Sequence, residues 1–174
     1  SVVLSGLFHP FISEFLGVAN SLRGYFFVLE YMPGDSLKTL LFQKHRVFSS
    51  QDIFQIGAQL LDILLYIHSR SVIHGDISIS NVLYDGLQVS LIDFGLASYI
   101  GQEEFGKVLD YACVGTLLLY LLYSGYHGSK KGASSEDLPL SQGQKAVLTR
   151  LLGLSATSSS TEPVKKNFFH NLHF

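Results

Sequence analysis

The sequence predicts an α+β fold: a mainly helical body that carries one short β-hairpin and is preceded by two further strands. Three observations point there. Ile53, Ile56, Leu60, Leu64 and Ile67 recur at helical spacing. Residues 111–126 form an apolar run too long for one strand. Between these segments, two short apolar runs, Val82–Tyr84 and Val89–Leu91, flank Asp85-Gly86. That pair suits a hairpin turn because both residue types tolerate positive φ.

In chain order, residues 1–10 end in His9-Pro10 and read as the tail of a helix stopped by the proline. Residues 11–18 and 25–31 are apolar, with Asn20-Ser21 and Arg23-Gly24 between them, and read as adjacent antiparallel strands. Met32-Pro33-Gly34-Asp35 is a turn, and residues 36–42 a short helix. Lys44, His45 and Arg46 read as a solvated basic loop. Ser49-x-x-Asp52 is a capping box that opens the long helix. Phe54, Leu61 and Leu65 give that helix a second apolar face, so it is expected to lie between packed elements. It should end near His68-Ser69, with His68 a polar end group where a helix C-terminus favours a cation.

Residues 107–123 read as the next helix, with Asp110 near its start, able to meet the helix dipole or reach back to backbone amides. Residues 125–137 are polar and read as a loop, and residues 141–152 as an amphipathic helix. Residues 156–162 are a serine-rich turn, and Pro163 suits the first position of a last helix running to about residue 171. Phe168, Phe169, Leu172 and Phe174 are expected to dock on the domain, with His170 and His173 in solvent.

The 174 residues suit one domain or a large piece of one. Hydrophobic residues are 47% and charged residues 15%, enough for a substantial core. The mean hydropathy of +0.29 suggests surface that expects a partner. A net charge of −2 without a basic stripe argues against nucleic acid. The single cysteine, Cys113, sits in an apolar run and reads as a core thiol, which fits a reducing, cytoplasmic setting. The N-terminus lacks Met and a basic stretch, so it is no signal peptide and reads as a trimmed or partial chain. Residues 111–126 fall short of the roughly 20 residues that span a bilayer and are bordered by Asp110; a buried helix is expected, and no membrane.

The chemistry-bearing residues cluster in residues 72–98. A hairpin brings its open ends together, with opposed residues about 4.5–5.5 Å apart. Asn81 and Asp93 flank that open end, and Asp76 lies just upstream. Two hard oxygen donors suit Mg²⁺, and a third carboxylate can orient or deprotonate a hydroxyl. That is equipment for phosphoryl transfer. Each residue alone also reads as a turn cap; it is their order and spacing that favour a site. Gly101-x-x-x-x-Gly106-Lys107 mimics a phosphate-binding loop, but Val108 lacks the hydroxyl, Glu103 and Glu104 would repel phosphate, and no strand precedes it.

These motifs resemble those of Hanks-type protein kinases over most of the chain. His9-Pro10-Phe11-Ile12 is similar to the loop before that family's fourth strand. Leu29-Glu30-Tyr31-Met32-Pro33-Gly34 is similar to its fifth strand and interlobe hinge, with Leu29 as gatekeeper. Residues 61–71 match the helix leading into the catalytic loop, and His74-Gly75-Asp76 stands where the family has His-Arg-Asp. The resemblance implies a kinase-like C-terminal lobe at residues 33–174 and a remnant of the N-terminal lobe at residues 1–32. It implies Asp76 as catalytic base, Asn81 and Asp93 as Mg²⁺ ligands, Glu30 and Met32 as hinge contacts to the adenine of ATP, and Leu83 beneath the adenine ring. Asp110 would brace the catalytic loop.

The departures are equally specific. The 174 residues contain no Gly-rich loop and no Val-Ala-Ile-Lys strand, so the electrostatic clamp on the phosphates is incomplete. Gly75 replaces an arginine that in many kinases pairs with a phosphorylated loop, and residues 96–109 are short, without Ala-Pro-Glu. Ser78 replaces the catalytic-loop lysine, as a small polar residue does in compact atypical kinases of the RIO type, and is counted here with the catalytic residues. The resemblance thus implies an ATP-dependent Ser/Thr kinase domain, incomplete over these residues, acting on a protein substrate. Two alternatives stay open: an inactive kinase mimic that binds a partner protein or kinase, and a small-molecule phosphotransferase, whose family shares His-Gly-Asp.

Overall fold

The computed structural model describes residues 3–100, 105–125 and 140–153. Most of the polar stretch 125–137, the serine-rich turn and the last helix with its four apolar side chains lie outside the described residues. The elements are β1 (Phe15–Ser21), β2 (Gly24–Leu29), β3 (Asp35–Ser36), α1 (Leu37–Phe42), α2 (Ser50–Ser69), β4 (Val72–Ile73), β5 (Val82–Tyr84), β6 (Val89–Leu91), β7 (Ser98–Tyr99), α3 (Phe105–Tyr123) and α4 (Gln142–Leu151). Single 3₁₀ turns occur at Leu4–Gly6 and Phe94–Leu96.

Among the described residues the strands form three small antiparallel sheets. β1 pairs with β2; β5 lies between β3 and β6; β4 pairs with β7. The body is α2 against α3, with α4 packed on α3. Ser49 opens α2 by the expected capping box, its hydroxyl accepting the Asp52 N–H while the Asp52 carboxylate accepts the Ser49 N–H. Ile56, Leu60, Ile63, Leu64 and Ile67 form its buried stripe. Gly57 permits close approach to α3: a Cβ there would sit 3.4 Å from the Leu118 methyls. α3 buries Val114, Leu117, Leu118, Leu119 and Leu121 in the same core. By length and composition alone α3 could cross a membrane, but here its leucines pack on α2. Cys113 is half-buried at the edge of that core, and burial pushes its thiol pKa up.

Several expectations need correction. Among residues 3–10 the structure holds a 3₁₀ turn and no α-helix, and Leu4 and Leu7 are core residues. The first strand starts at Phe15 rather than residue 11. Residues 11–12 turn instead to the hairpin: Ile12 bridges Leu91, and the Leu91 N–H donates to the Phe11 carbonyl. Apolar composition alone could not say which edge this segment would join. The second face of α2 is packed only in part: Leu61 is half-buried, but Phe54 is 78% and Leu65 63% exposed. The basic loop is not simply solvated. Lys44 pairs with Asp35, and the Arg46 guanidinium lies 5.1 Å from the Phe48 and Tyr84 ring centroids and reaches Asp52. His68 is buried rather than at a wet helix end.

The two faces of α2 give a paired test. Leu64→Ala, in the buried stripe, should cost about 2–5 kcal/mol, whereas Leu65→Ala, one residue on, should stay within about 0.5 kcal/mol, read from urea unfolding of the chain.

Candidate active site

The hairpin is fixed at its turn by α2 and at its open end by the loop before it. Asp85 Oδ1 accepts the N–H groups of Leu87 (2.8 Å) and Gln88 (2.7 Å), the side-chain turn that makes aspartate a good choice here. Gln55 and Gln59 of α2 both donate to the Leu87 carbonyl, and Gln59 Oε1 accepts the Val89 N–H. At the open end the Ile92 N–H donates to the Asn81 carbonyl at 3.0 Å. Asn81 and Asp93 are therefore brought to one end of the hairpin, as the spacing predicts.

Asn81 is also tied to Asp76. Its Nδ2 donates to the Asp76 carbonyl oxygen and to Asp76 Oδ2, both at 2.9 Å. Pinning the amide nitrogen turns the amide oxygen away from Asp76. Ser78 is half-exposed, and its carbonyl accepts the Asn81 N–H at 3.0 Å, closing the turn between base and amide. Asp93 is exposed and left-handed, with φ 62, and its Oδ1 accepts the Gly95 N–H at 3.1 Å. Aspartate tolerates that conformation better than most residues. Asn81 and Asp93 supply two hard oxygen donors of the kind Mg²⁺ accepts. Among the described residues no group of three His, Cys, Asp or Glu side chains is built to hold a metal, so other ligands would have to come from water or a bound phosphate.

Behind the loop stands a buried carboxylate. Asp110 Oδ2 accepts the His74 N–H (2.9 Å) and is 2.9 Å from His68 Nε2, while Oδ1 accepts the Gly75 N–H (3.0 Å). Of the two options open to Asp110, it takes the reach back to amides. His74 is fully buried. Its Nδ1 accepts the Asp76 N–H at 3.2 Å, so Nε2 carries the proton and donates to the Ile92 carbonyl at 3.1 Å. The imidazole ring meets Phe94 edge-on at 4.6 Å. One ring thus links the residue before Asp93 to Asp76.

The expected hinge residues lie between β2 and β3. Glu30 is exposed, yet both its main-chain groups are engaged: the N–H donates to the Glu14 carbonyl (2.8 Å) and the carbonyl accepts the Ser13 hydroxyl (2.6 Å). Met32 is buried and Leu83 half-buried. The end of the hinge is seated on β5, where Asp35 pairs with Tyr84 and Ser36 with Leu83. Gly34, with φ 104, approaches so closely that a Cβ would lie 2.7 Å from the Tyr84 carbonyl carbon. Sequence reasoning did not single out Ser13, the pairing of His68 with Asp110, or the linking role of His74. The first two depend on partners 17 and 42 residues away and leave no local signal.

Comparison with known proteins bears on this arrangement. The model of the protein kinase domain family matches residues 2–118. This chain belongs to the protein kinase family. It is 32% identical over 176 residues to the probable serine/threonine-protein kinase YbdM of Bacillus subtilis, covering 95% of this chain and 67% of the relative. It is 36% identical over 100 residues to the serine/threonine-protein kinase PKH3 of Eremothecium gossypii, covering 57% of this chain but 14% of that one. Its fold is similar to that of a chain in the yeast RNA polymerase II CTD kinase CTDK-1 complex, with a TM-score of 0.61 and 23% identity over 74% of this chain and 50% of the other. The chain therefore spans about two thirds of the Bacillus relative and half of the matched chain of the yeast complex.

Within this kinase-family loop, Gly75 is a requirement of the backbone. Its φ is 79, and a Cβ would lie 3.2 Å from the Leu96 carbonyl oxygen. A side chain there is strained in conformation and pressed against the segment after Asp93. The electrostatics are also set by burial. Burial lowers the His74 pKa from 6.5, outweighing the Ile92 carbonyl and the carboxylates of Asp110, Asp76 and Asp93, which act upward. Burial acts upward on Asp110, but the bonds from His68, Gly75 and His74 outweigh it and hold the carboxyl below 3.8.

Both shifts have the same sign for stability. The unfolded chain binds more protons than the native one below 6.5 at His74 and below 3.8 at Asp110. Each contribution is complete above that value and is lost as pH falls through the folded pKa. The stability gap between wild type and His74→Gln should therefore narrow between about pH 7.5 and about pH 5.5 in urea unfolding. A constant gap would show that His74 is not held neutral. Gly75→Arg should destabilise the chain by about 1 kcal/mol or more in the same assay.

Proposed function

We propose that the chain carries the catalytic loop and metal-binding half of a Ser/Thr protein kinase that moves the γ-phosphoryl group of Mg-ATP to a protein hydroxyl. The observation that carries this reading is the bonded set Asp76–Asn81–Ile92, which joins the base position to the two oxygen donors at the hairpin's end. The oxygen of the substrate hydroxyl would form a bond to the γ-phosphorus as the bond to the ADP oxygen breaks. Asp76 would orient that hydroxyl and take its proton. Its Oδ2 already accepts from Asn81, which leaves Oδ1 to face the hydroxyl. Asn81 and Asp93 would hold Mg²⁺, whose charge offsets that of the phosphates when bound. Met32 and Glu30 would meet the adenine through main-chain groups, with Leu83 beneath the ring. Ser78 would keep the loop small and polar beside the γ-phosphate.

A reading as a kinase mimic that binds a partner protein or kinase has one observation in its favour. The β1–β2 ribbon exposes apolar side chains widely, including Leu16, Val18, Tyr25 and Phe27. The single cysteine supports assignment to the cytoplasm.

The test uses the complete gene product and labelled ATP with a protein substrate. Asp93→Asn should abolish transfer, and Asp76→Ala should lower it by roughly 10²–10⁴-fold. Undiminished transfer in Asp93→Asn would overturn the phosphoryl-transfer reading. No transfer in wild type, with no Mg-ATP-dependent rise in melting temperature, would favour the mimic.

A further inference from the structure

Glu30 carries an arrangement that strand pairing alone does not require. In an antiparallel ladder, two residues that form a bonded pair exchange both N–H···O contacts. The Glu30 N–H makes its half by donating to the Glu14 carbonyl. The return bond is missing: the Glu14 N–H faces Glu30 Oε2 at a long 3.4 Å. The Glu30 carbonyl accepts the Ser13 hydroxyl instead, at 2.6 Å. Ser13 is 4% exposed, so this bond is shielded from water and its hydroxyl is held to one task. A buried serine has replaced the neighbouring strand as the donor to this oxygen.

We propose that Ser13 is a positioning residue that sets nucleobase selectivity at the hinge, relaxing the preference for a purine bearing a 6-amino group over one bearing a 6-oxo group. The inference rests on the proposed reading in which the Glu30 carbonyl faces the base. A carbonyl has two lone pairs and can accept a second donor. An oxygen already holding a short hydroxyl bond has given up part of its negative potential. It then attracts the adenine amino group less and repels a 6-oxo oxygen less. Ser13 acts on both terms in the same direction, so removing its hydroxyl should sharpen discrimination.

The measurement is equilibrium binding of ATP and of ITP to the complete gene product by calorimetry. ITP differs from ATP at the base by the 6-oxo group and by the proton that N1 then carries; the N1 difference is common to wild type and variant, so the change in the ratio of its Kd to that of ATP reports the contact at position 6. In Ser13→Ala the ratio should rise by about 2- to 10-fold over wild type, the range of one net hydrogen bond. Ser13→Cys, nearly isosteric but a weak donor, should move it the same way and serves where the alanine variant folds poorly. Ser13→Thr, which keeps the hydroxyl, should leave it near the wild-type value. A purely structural role would weaken both nucleotides alike and leave the ratio unmoved. If wild type binds ATP and the ratio is unchanged in both Ser13→Ala and Ser13→Cys, the Ser13 proposal is overturned while the nucleotide site stands. If wild type binds neither nucleotide, the nucleotide site itself is overturned, and the proposal with it.

Discussion

The buried carboxylate of Asp110 is the constraint on which the loop depends. It sits on α3 and accepts bonds from two consecutive backbone amides and from the His68 ring. Those amides belong to His74 and Gly75, the residues immediately before Asp76. Removing the carboxylate would leave three donors without their acceptor, of which the His74 N–H and the His68 ring are buried, each of these two at a cost of about 1–3 kcal/mol. The carboxylate is held below its ordinary pKa despite burial, because the donors outweigh desolvation. The helix core and the chemistry-bearing loop are thus one mechanical unit: α2 supplies His68, α3 supplies Asp110, and the loop is hung between them.

From that anchor the order passes outward through single atoms. His74 takes the Asp76 N–H on one ring nitrogen and gives its proton to the Ile92 carbonyl with the other. Asn81 then closes the circuit, bonding to Asp76 through its amide nitrogen and to the Ile92 N–H through its carbonyl. Such a closed set costs little further ordering when a substrate arrives, which is what positioning catalysis requires. The glycine at position 75 belongs to this economy. A residue with φ 79 whose Cβ would lie 3.2 Å from the Leu96 carbonyl oxygen is strained for any side chain, the arginine found there in many kinases included, so the glycine suits the backbone geometry.

Much of this was legible in the sequence, and for local reasons. The hairpin at Val82–Tyr84 and Val89–Leu91 follows from Asp85-Gly86 and appears at those residues. The capping box at Ser49 and Asp52 marks the start of α2. Asp76, Asn81 and Asp93 stand out by order and spacing, and the family match over residues 2–118 supports the kinase fold. What the sequence could not convey was pairing across distance. His68 looked like a wet helix end because its partner lies 42 residues on. Phe54 and Leu65 looked like core because periodicity reports an apolar face without reporting what covers it. The shift of the first strand to Phe15 arose because residues 11–12 were drawn to Leu91, a choice among apolar neighbours that composition does not rank.

Asp110 holds the loop in its geometry, and amide hydrogen exchange in Asp110→Asn measures that hold. An asparagine keeps the size of the side chain but offers one acceptor oxygen in place of two. Exchange at His74 and Gly75 should accelerate by at least about tenfold, the equivalent of losing roughly 1.4 kcal/mol of local protection. Leu91, whose amide bonds to Phe11, should keep its protection. Unchanged exchange at His74 and Gly75 in the variant would contradict a hold by Asp110.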